Sequence, residues 1–414
     1  MRRRVEVGFT LQPDEGFLER CAPLFSRIDY AELAPETTWF ASDGVLRPNG
    51  YHRRFLEIGD AHQLSFVAHG VGYSLGDPGG DERRARWRER IALDHAQFAF
   101  RWYSDHLCAT AAGDEAVALP YALPRDAALR ARIGERLDEL AHVVPDVGVE
   151  TTVVYFALDD PMGEPAWLNE LVAPRARHVV LDLHNVWTMG QNLGFDPDAW
   201  LSKLDLARVI EIHVSGGADS DPAWLPSKAT MRLDAHDSAV PEEVFELLAR
   251  WAPRCPHLRG ITLERMEGTV GCAHDVDGLG RELERVRDVA ERCAPRDEVP
   301  RPETSSIEHP ADDGHAAAIA TALRTTDPTS ALSALGLTSF PDDGVRIAGL
   351  LAARLRFERL MRGDEGLEAW FDRDPAGFSE AFRAYHREVP ARAFFPPDEA
   401  RLFARWMEDA RSRG

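Results

Sequence analysis

Cysteine is scarce in this chain. Cys21, Cys108, Cys255, Cys272 and Cys293 make up the whole complement of five, widely spaced and with no C-x-x-C pair. That pattern argues against a thiolate zinc or iron–sulfur site and against a secreted disulfide scaffold. Long apolar runs are missing as well, for nothing approaches the roughly 20 residues that a membrane helix needs. Met1 and the three arginines after it lead straight into the strand-like stretch Val5–Thr10, with no apolar signal region. We therefore expect a cytoplasmic protein without a membrane partner. Basic residues are outnumbered, 48 Lys and Arg against 69 Asp and Glu, for a formal net charge of −21. Such a surface repels phosphate backbones, so no nucleic-acid partner is expected. No tandem repeat is present, and no Gly-rich loop follows the first strand candidate, which disfavours a doubly wound nucleotide-binding sheet.

What is present is ample core material: 414 residues, 44% of them hydrophobic, enough for more than one domain. The chain changes character near residue 294. Residues 294–314 are rich in Pro, Asp, Glu and Ser without apolar periodicity and read as a linker. Before it, in residues 1–293, short apolar strands alternate with amphipathic stretches. The strand candidates are Val5–Thr10, Ile28–Ala34, Leu64–His69, Trp102–Cys108, Val147–Tyr155, His178–His184, Arg208–Val214 and Gly260–Arg265. Ala127–His142 is a typical intervening helix, with Leu129, Ile133, Leu137 and Leu140 at helical spacing. Repeated strand–helix alternation predicts an α/β protein with parallel strands and crossover helices, and its repeat number fits a (β/α)₈ TIM barrel. Residues 315–414 predict a smaller all-α region, with helices near Ala316–Arg324, Pro328–Ala334, Asp343–Met361, Ala376–Val389 and Pro397–Arg413. The stripe Leu350, Leu351, Leu355, Phe357 and Leu360 reads as core packing.

Chemistry collects at the C-terminal ends of the barrel strands. The third ends on His69, the fourth on His106, the fifth carries Glu150, the sixth ends on Asp182, His184 and Asn185, and the seventh on Glu211 and His213. Asp234 and His236 follow, and the eighth delivers Glu264. This is the face where such barrels build active sites. Any one of these residues alone has a bland structural explanation. Together they are costly to bury without paired charges or metal ions. Imidazole and carboxylate are ligands for Zn, Mn or Fe, and no cysteine recurs among them.

These stretches resemble the multinuclear non-heme iron-dependent oxidative enzymes, which modify ribosomally made peptides. The resemblance is carried by His69 with Gly70, Val71, Gly72, Tyr73, Ser74, Leu75 and Gly76, by Ser104–Cys108, by Val149 and Glu150, and by Leu181–Val186. It continues through Ile212 and His213, Asp234 and His236 with Glu243–Leu248 behind them, and Leu263–Arg265, so that it spans residues 1 to about 290. The same barrel-mouth plan is similar to that of trinuclear-zinc endonuclease IV and xylose-isomerase-like enzymes.

The resemblance implies three metal positions. His69, His106 and Glu150 would hold the first; Glu150 would bridge to a second completed by Asp182, His213 and Glu264; Asn185, Asp234 and His236 would hold the third. Glu150, Asp182 and His213 would be the catalytic set, anchoring the redox pair. His184 is left out because strand alternation points it away. The implied cofactors are two or three iron ions of mixed ferrous and ferric state, with O₂ as co-substrate. The implied substrate is a residue, cysteine first, of a precursor peptide. Family enzymes work with a small leader-binding partner protein, and the C-terminal helices here would be either its fused equivalent or an added stabilising domain. Two departures touch the substrate pocket: Val214–Ala218 lacks the second His common after strand seven, and Met266 replaces an acid after strand eight. A trinuclear-zinc hydrolase or isomerase is the alternative reading, disfavoured by Asn185 where those enzymes favour His.

Overall fold

The computed structural model describes residues 4–42, 44–113, 115–122, 124–173, 177–293, 314–325, 327–334 and 342–413. Twelve strands are seen among them: β1 (Glu6–Thr10), β2 (Tyr30–Leu33), β3 (Trp39–Ser42), β4 (Val45–Pro48), β5 (Ser65–Gly70), β6 (Tyr103–His106), β7 (Ala109–Ala112), β8 (Glu115–Tyr121), β9 (Val147–Glu150), β10 (Arg177–Asp182), β11 (Val209–Val214) and β12 (Gly260–Leu263). Strands β1, β2, β5, β6, β9, β10, β11 and β12 follow one another round a closed barrel in which every pairing is parallel. These are the eight expected strands. Two antiparallel hairpins, β3–β4 and β7–β8, are additions that the alternation did not announce.

The crossover helices cover the barrel because their apolar faces match the outward residues of the strands. The helix Ala127–Ala141 buries Leu129, Ile133, Leu137 and Leu140, and Asp126 caps it by accepting from the Leu129 amide at 2.6 Å. This satisfies one of the amides that a helix start leaves open. Outward strand residues such as Val7, Val149, Leu181, Ile212 and Ile261 join the same continuous core.

Register places the mouth. His106 lies opposite Glu150 across β6–β9, and Asp182 lies opposite His213 across β10–β11. The second match depends on a register shift between Val179 and Val180. Val179 pairs with Val209 but Val180 with Glu211; without the shift Asp182 would face Ile212, a residue of the opposite face.

The chain after the barrel is helical as expected, at Gly314–Leu323, Pro328–Ala334, Asp342–Met361, Glu365–Arg373, Pro375–Glu388 and Pro396–Arg413. The Glu365–Arg373 helix was not anticipated. Apart from its last residue, the linker expected at 294–314 lies outside the described residues. Ile319, Leu323, Leu332, Val345 and Ile347 share a core with Val117, Leu119 and Tyr121 of β8 and with Val153–Phe156 after β9. Leu360, Phe378, Phe382, Tyr385 and Phe403 close a second, purely helical core. The expected stripe divides between them: Leu351 and Leu355 lean on the first, Phe357 and Leu360 on the second, and Leu350 is 45% exposed, turned outward by its position on the helix. No helix among the described residues is long and apolar enough to cross a membrane.

Candidate metal centre

Each strand end delivers its side chain by the period-2 alternation that sends every second residue into the barrel. His69 is fixed from behind, its Nδ1 lying 2.9 Å from Ser104 Oγ, and its Nε2 faces Glu150 Oε2 at 3.5 Å. His106 Nε2 lies 2.9 Å from the same oxygen, and the His69 and His106 rings meet edge to face with centroids 5.0 Å apart. The other oxygen of Glu150 lies 3.1 Å from His213 Nδ1, and Glu264 Oε2 is 3.6 Å from that nitrogen. One donor atom from each of His69, His106 and Glu150 falls within a 4.8 Å cluster, and the same holds for Glu150, Asp182, His213 and Glu264. Glu150 belongs to both, so the first two groups expected from the sequence share a carboxylate in space.

Asp182 and Asn185 owe their positions to a helix start. The strand ends at Asp182, which caps the helix Leu183–Leu193 by accepting from the Asn185 amide at 2.7 Å. That engages Oδ1 and leaves Oδ2 without a hydrogen bond. Asn185 donates its Nδ2 to the Thr151 carbonyl at 3.1 Å, which orients the amide and leaves Oδ1 buried and unbonded. Because helix begins at Leu183, strand alternation does not govern His184. It turns inward, fully buried, with Nδ1 3.3 Å from Asp234 Oδ1. The alternation expected to point His184 away therefore does not apply, and His184 contacts the third group through Asp234.

Asp234 and His236 sit on the long segment after β11, with His236 Nε2 2.7 Å from Asp234 Oδ1 and 3.9 Å from Glu264 Oε2. Tyr155 holds this segment, its hydroxyl accepting from the Asp234 amide at 3.1 Å. The glycines in Val214–Ala218 have a steric reason. A Cβ at Gly216 would lie 2.2 Å from the Ala239 carbonyl oxygen, and one at Gly217 1.9 Å from that of Leu233. The turn Val214–Ala218 is thus packed directly against the Asp234 segment.

Charge in the mouth is strongly perturbed. Asp182 is held well above the ordinary carboxylate range, by burial first and then by Glu150, Glu264 and Asp234. Glu150 lies well below it; burial opposes its ionisation, but His69 and His106 outweigh that. Burial lowers His69 and His236, yet Glu150 and Asp234 respectively push each up to about 10. Glu32 is raised to about 7, chiefly by burial, with His213 pulling it down.

The decisive test of fit to metal ions is the set of buried polar atoms without a hydrogen bond. Asp182 Oδ2, Asn185 Oδ1 and Glu264 Oε2 have none, and Glu150 Oε2, Asp234 Oδ1, His236 Nε2, Glu32 Oε2 and His213 Nε2 meet only ligand-type atoms of the same cluster. Buried polar groups are almost always bonded, and a knot of lone pairs converging from several strand ends is what multivalent cations satisfy.

Residues 7–291 match the family of RiPP precursor modification enzymes MbnB/TglH/ChrH, where RiPP denotes a ribosomally made, post-translationally modified peptide. This chain belongs to that family. It is 28% identical over 236 residues to a UPF0276 protein of Rhizorhabdus wittichii, a span of 56% of this chain and 76% of the relative. A UPF0276 protein of Bordetella pertussis is 30% identical over 252 residues, 57% of this chain and 82% of its own. The endonuclease IV structure from Thermus thermophilus is similar at 17% identity and a TM-score of 0.41, covering 68% of this chain and 99% of that one. The expected members of the three groups all lie at one end of the barrel. Glu32, Ser104, Thr151 and Tyr155 are contributors that sequence reading did not single out, although Glu32 stands as a lone carboxylate in an apolar strand.

Proposed function

We propose that this enzyme uses two or three iron ions and O₂ to oxidise a residue, cysteine in the first instance, of a ribosomally made precursor peptide. The family assignment supports peptide modification, and the single observation that supports a multinuclear centre is the convergence of unbonded, buried ligand atoms on Glu150 and its neighbours. His69, His106 and Glu150 would hold one ion, Glu150, Asp182, His213 and Glu264 a second, and Asn185, Asp234 and His236 a third. The neutral amide oxygen of Asn185 suits the most weakly held ion.

Iron with an open position would supply the multi-electron oxidation and would bind a substrate thiolate. The protein's own task is positioning and exclusion of water. Ser104 and Thr151 set the orientation of His69 and Asn185 from behind. Val153–Phe156, which follow β9, pack in one core with Ile319 and Val345 of the C-terminal helices.

The C-terminal helices would receive the precursor's leader, raising its effective concentration at the mouth. Interleaved basic and apolar residues from Arg354 to Leu360 suggest a peptide-binding face, but these arginines are already engaged within the helical region. Arg356 is buried against Glu399 at 2.8 Å, Arg359 bonds the Ala393 carbonyl, and Arg354 pairs with Glu358 at 2.9 Å.

Metal analysis with an iron Mössbauer spectrum, on protein purified without oxygen, tests the centre. Two to three coupled irons per chain are expected, and stoichiometric zinc without iron would turn the reading toward a hydrolase or isomerase. Glu150→Gln should remove the ions of both groups that it joins and abolish peptide oxidation. Retention of iron and activity in that variant would refute the assignment.

A further inference from the structure

Glu32 is 1% exposed at the end of β2 and belongs to none of the three proposed ligand groups. Its register, opposite Thr10 and Val67, puts it at the upper level of the barrel interior, two residues beyond Tyr30 on the same face. Neither of its oxygens is engaged by a donor other than His213. Oε2 lies 3.0 Å from His213 Nε2, on the side of the imidazole opposite to Nδ1, which faces Glu150 and Glu264.

A neutral imidazole that binds a metal through one nitrogen carries its proton on the other, and whatever accepts that proton sets the tautomer and the ring's direction. For His213 two carboxylates are near enough to compete. Glu211 Oε1 is 3.7 Å from Nε2 and already accepts from Tyr30 Oη at 2.8 Å and Thr262 Oγ1 at 2.6 Å, while Oε2 takes Trp102 Nε1 at 2.5 Å. Three of its roughly four acceptor sites are taken by other donors, and it lies farther from Nε2 than Glu32 does. Glu32 has both oxygens free of other bonds.

We infer that Glu32 is the positioning residue of the centre: it holds the Nε2 proton of His213, so that the Nδ1 lone pair is committed to the ion shared with Glu150, Asp182 and Glu264. The inference rests on the metal centre proposed above. A carboxylate behind a ligating imidazole raises its basicity, and removing such a partner weakens metal binding by about 10–100-fold.

Glu32→Gln keeps the shape and an acceptor oxygen but removes the charge. In the full-length chain, loaded with Co(II) and titrated with a competing chelator, Glu32→Gln should bind one ion about 10–100-fold more weakly. The stoichiometry should stay the same, and the ion held by His69 and His106 should keep its affinity. Unchanged affinity at every ion would overturn the inference, and outright loss of one ion would make Glu32 a ligand and overturn it too. Should the variant fold poorly, the native chain answers by ¹⁵N–¹H correlation of labelled histidine in the Zn(II)-loaded protein. His213 must show a protonated Nε2 and a metal-bound Nδ1; the reverse tautomer refutes the assignment. A wild-type chain that takes up no metal would bring down the centre itself, an outcome distinct from a centre that loads normally and ignores Glu32.

Discussion

Two layers of the same barrel, one residue pair apart, treat their buried polar groups in opposite ways. In the floor layer Tyr30, Trp102, Glu211 and Thr262 bond to one another, and Glu211 is lowered to about 2: burial opposes ionisation, but His213, Thr262 and Trp102 outweigh it. In the mouth layer, Glu32, His213 and Glu264 stand two residues further along the same strands or just past their ends, and each keeps an inward atom without a bond. The steps Tyr30 to Glu32, Glu211 to His213 and Thr262 to Glu264 each pass from a satisfied group to an unsatisfied one. Polarity inside a barrel is thus no mark of function by itself. The mark is polarity that the protein leaves incomplete, because folding stability alone would select against it.

The largest effect expected from this contrast is in the floor. Glu211→Ala would remove the acceptor shared by Tyr30, Thr262 and Trp102, leaving the two hydroxyls only each other at 2.7 Å and the indole N–H no partner in the barrel interior, costing about 3–5 kcal/mol, as for one partner lost from a buried charged network. Urea unfolding of the metal-free chain measures it. A loss below about 1 kcal/mol, the value of an ordinary hydrogen bond, would mean that the floor is no more self-sufficient than the mouth.

Next in size is a pH effect that distinguishes histidines of the two layers. His178 on β10 is buried with Nε2 unbonded, and burial first, then Arg259, lowers it to about 3, whereas His69 in the mouth is raised. A lowered histidine keeps its full contribution above the unfolded-state value near 6.5 and loses it as pH falls toward the folded value. Between pH 7 and pH 5 this amounts to about 2 kcal/mol of stability lost on the acid side. Comparing wild type with His178→Gln at both pH values isolates it. The variant should lose less stability on acidification, and an identical loss would show that His178 is not held neutral by its surroundings.

Much of this architecture was legible in the sequence, and the failures have definite causes. The barrel strands were recognisable because each apolar run is bounded by turns and followed by a helical period, and their ends located the mouth residues. The expected strands ran too far where polar residues begin a helix or loop: the sixth was carried through His184 although Asp182 already caps a helix. That overrun caused the misplacement of His184. The register shift between Val179 and Val180 leaves no composition signal, because it is fixed by pairing with a strand about 30 residues away. Glu32 went unnoticed for a different reason: one carboxylate in an apolar strand reads as a structural residue until its partner His213, on β11, is seen beside it. The hairpin β7–β8 was invisible because its residues serve a core shared with helices from the other end of the chain.

The smallest expected effect carries the opposite sign and sharpens the contrast most. Asp182 is fully buried, and the neighbouring carboxylates Glu150, Glu264 and Asp234 add to the cost of its charge. Asn at this position can still accept from the Asn185 amide as a helix cap, since Asn and Asp cap about equally well. Asp182→Asn should therefore raise the stability of the metal-free chain by about 1 kcal/mol, the lower end of the cost of an unsatisfied buried polar group. The same change should weaken metal binding, because an anionic ligand is replaced by a neutral one. This is the trade expected where a site is kept strained for a ligand. Melting curves of the metal-free proteins, beside metal analysis of the loaded ones, give both readings. A metal-free Asp182→Asn chain destabilised as severely as Glu211→Ala would place Asp182 in a self-sufficient network like the floor, and the distinction between the two layers would fail at its central residue.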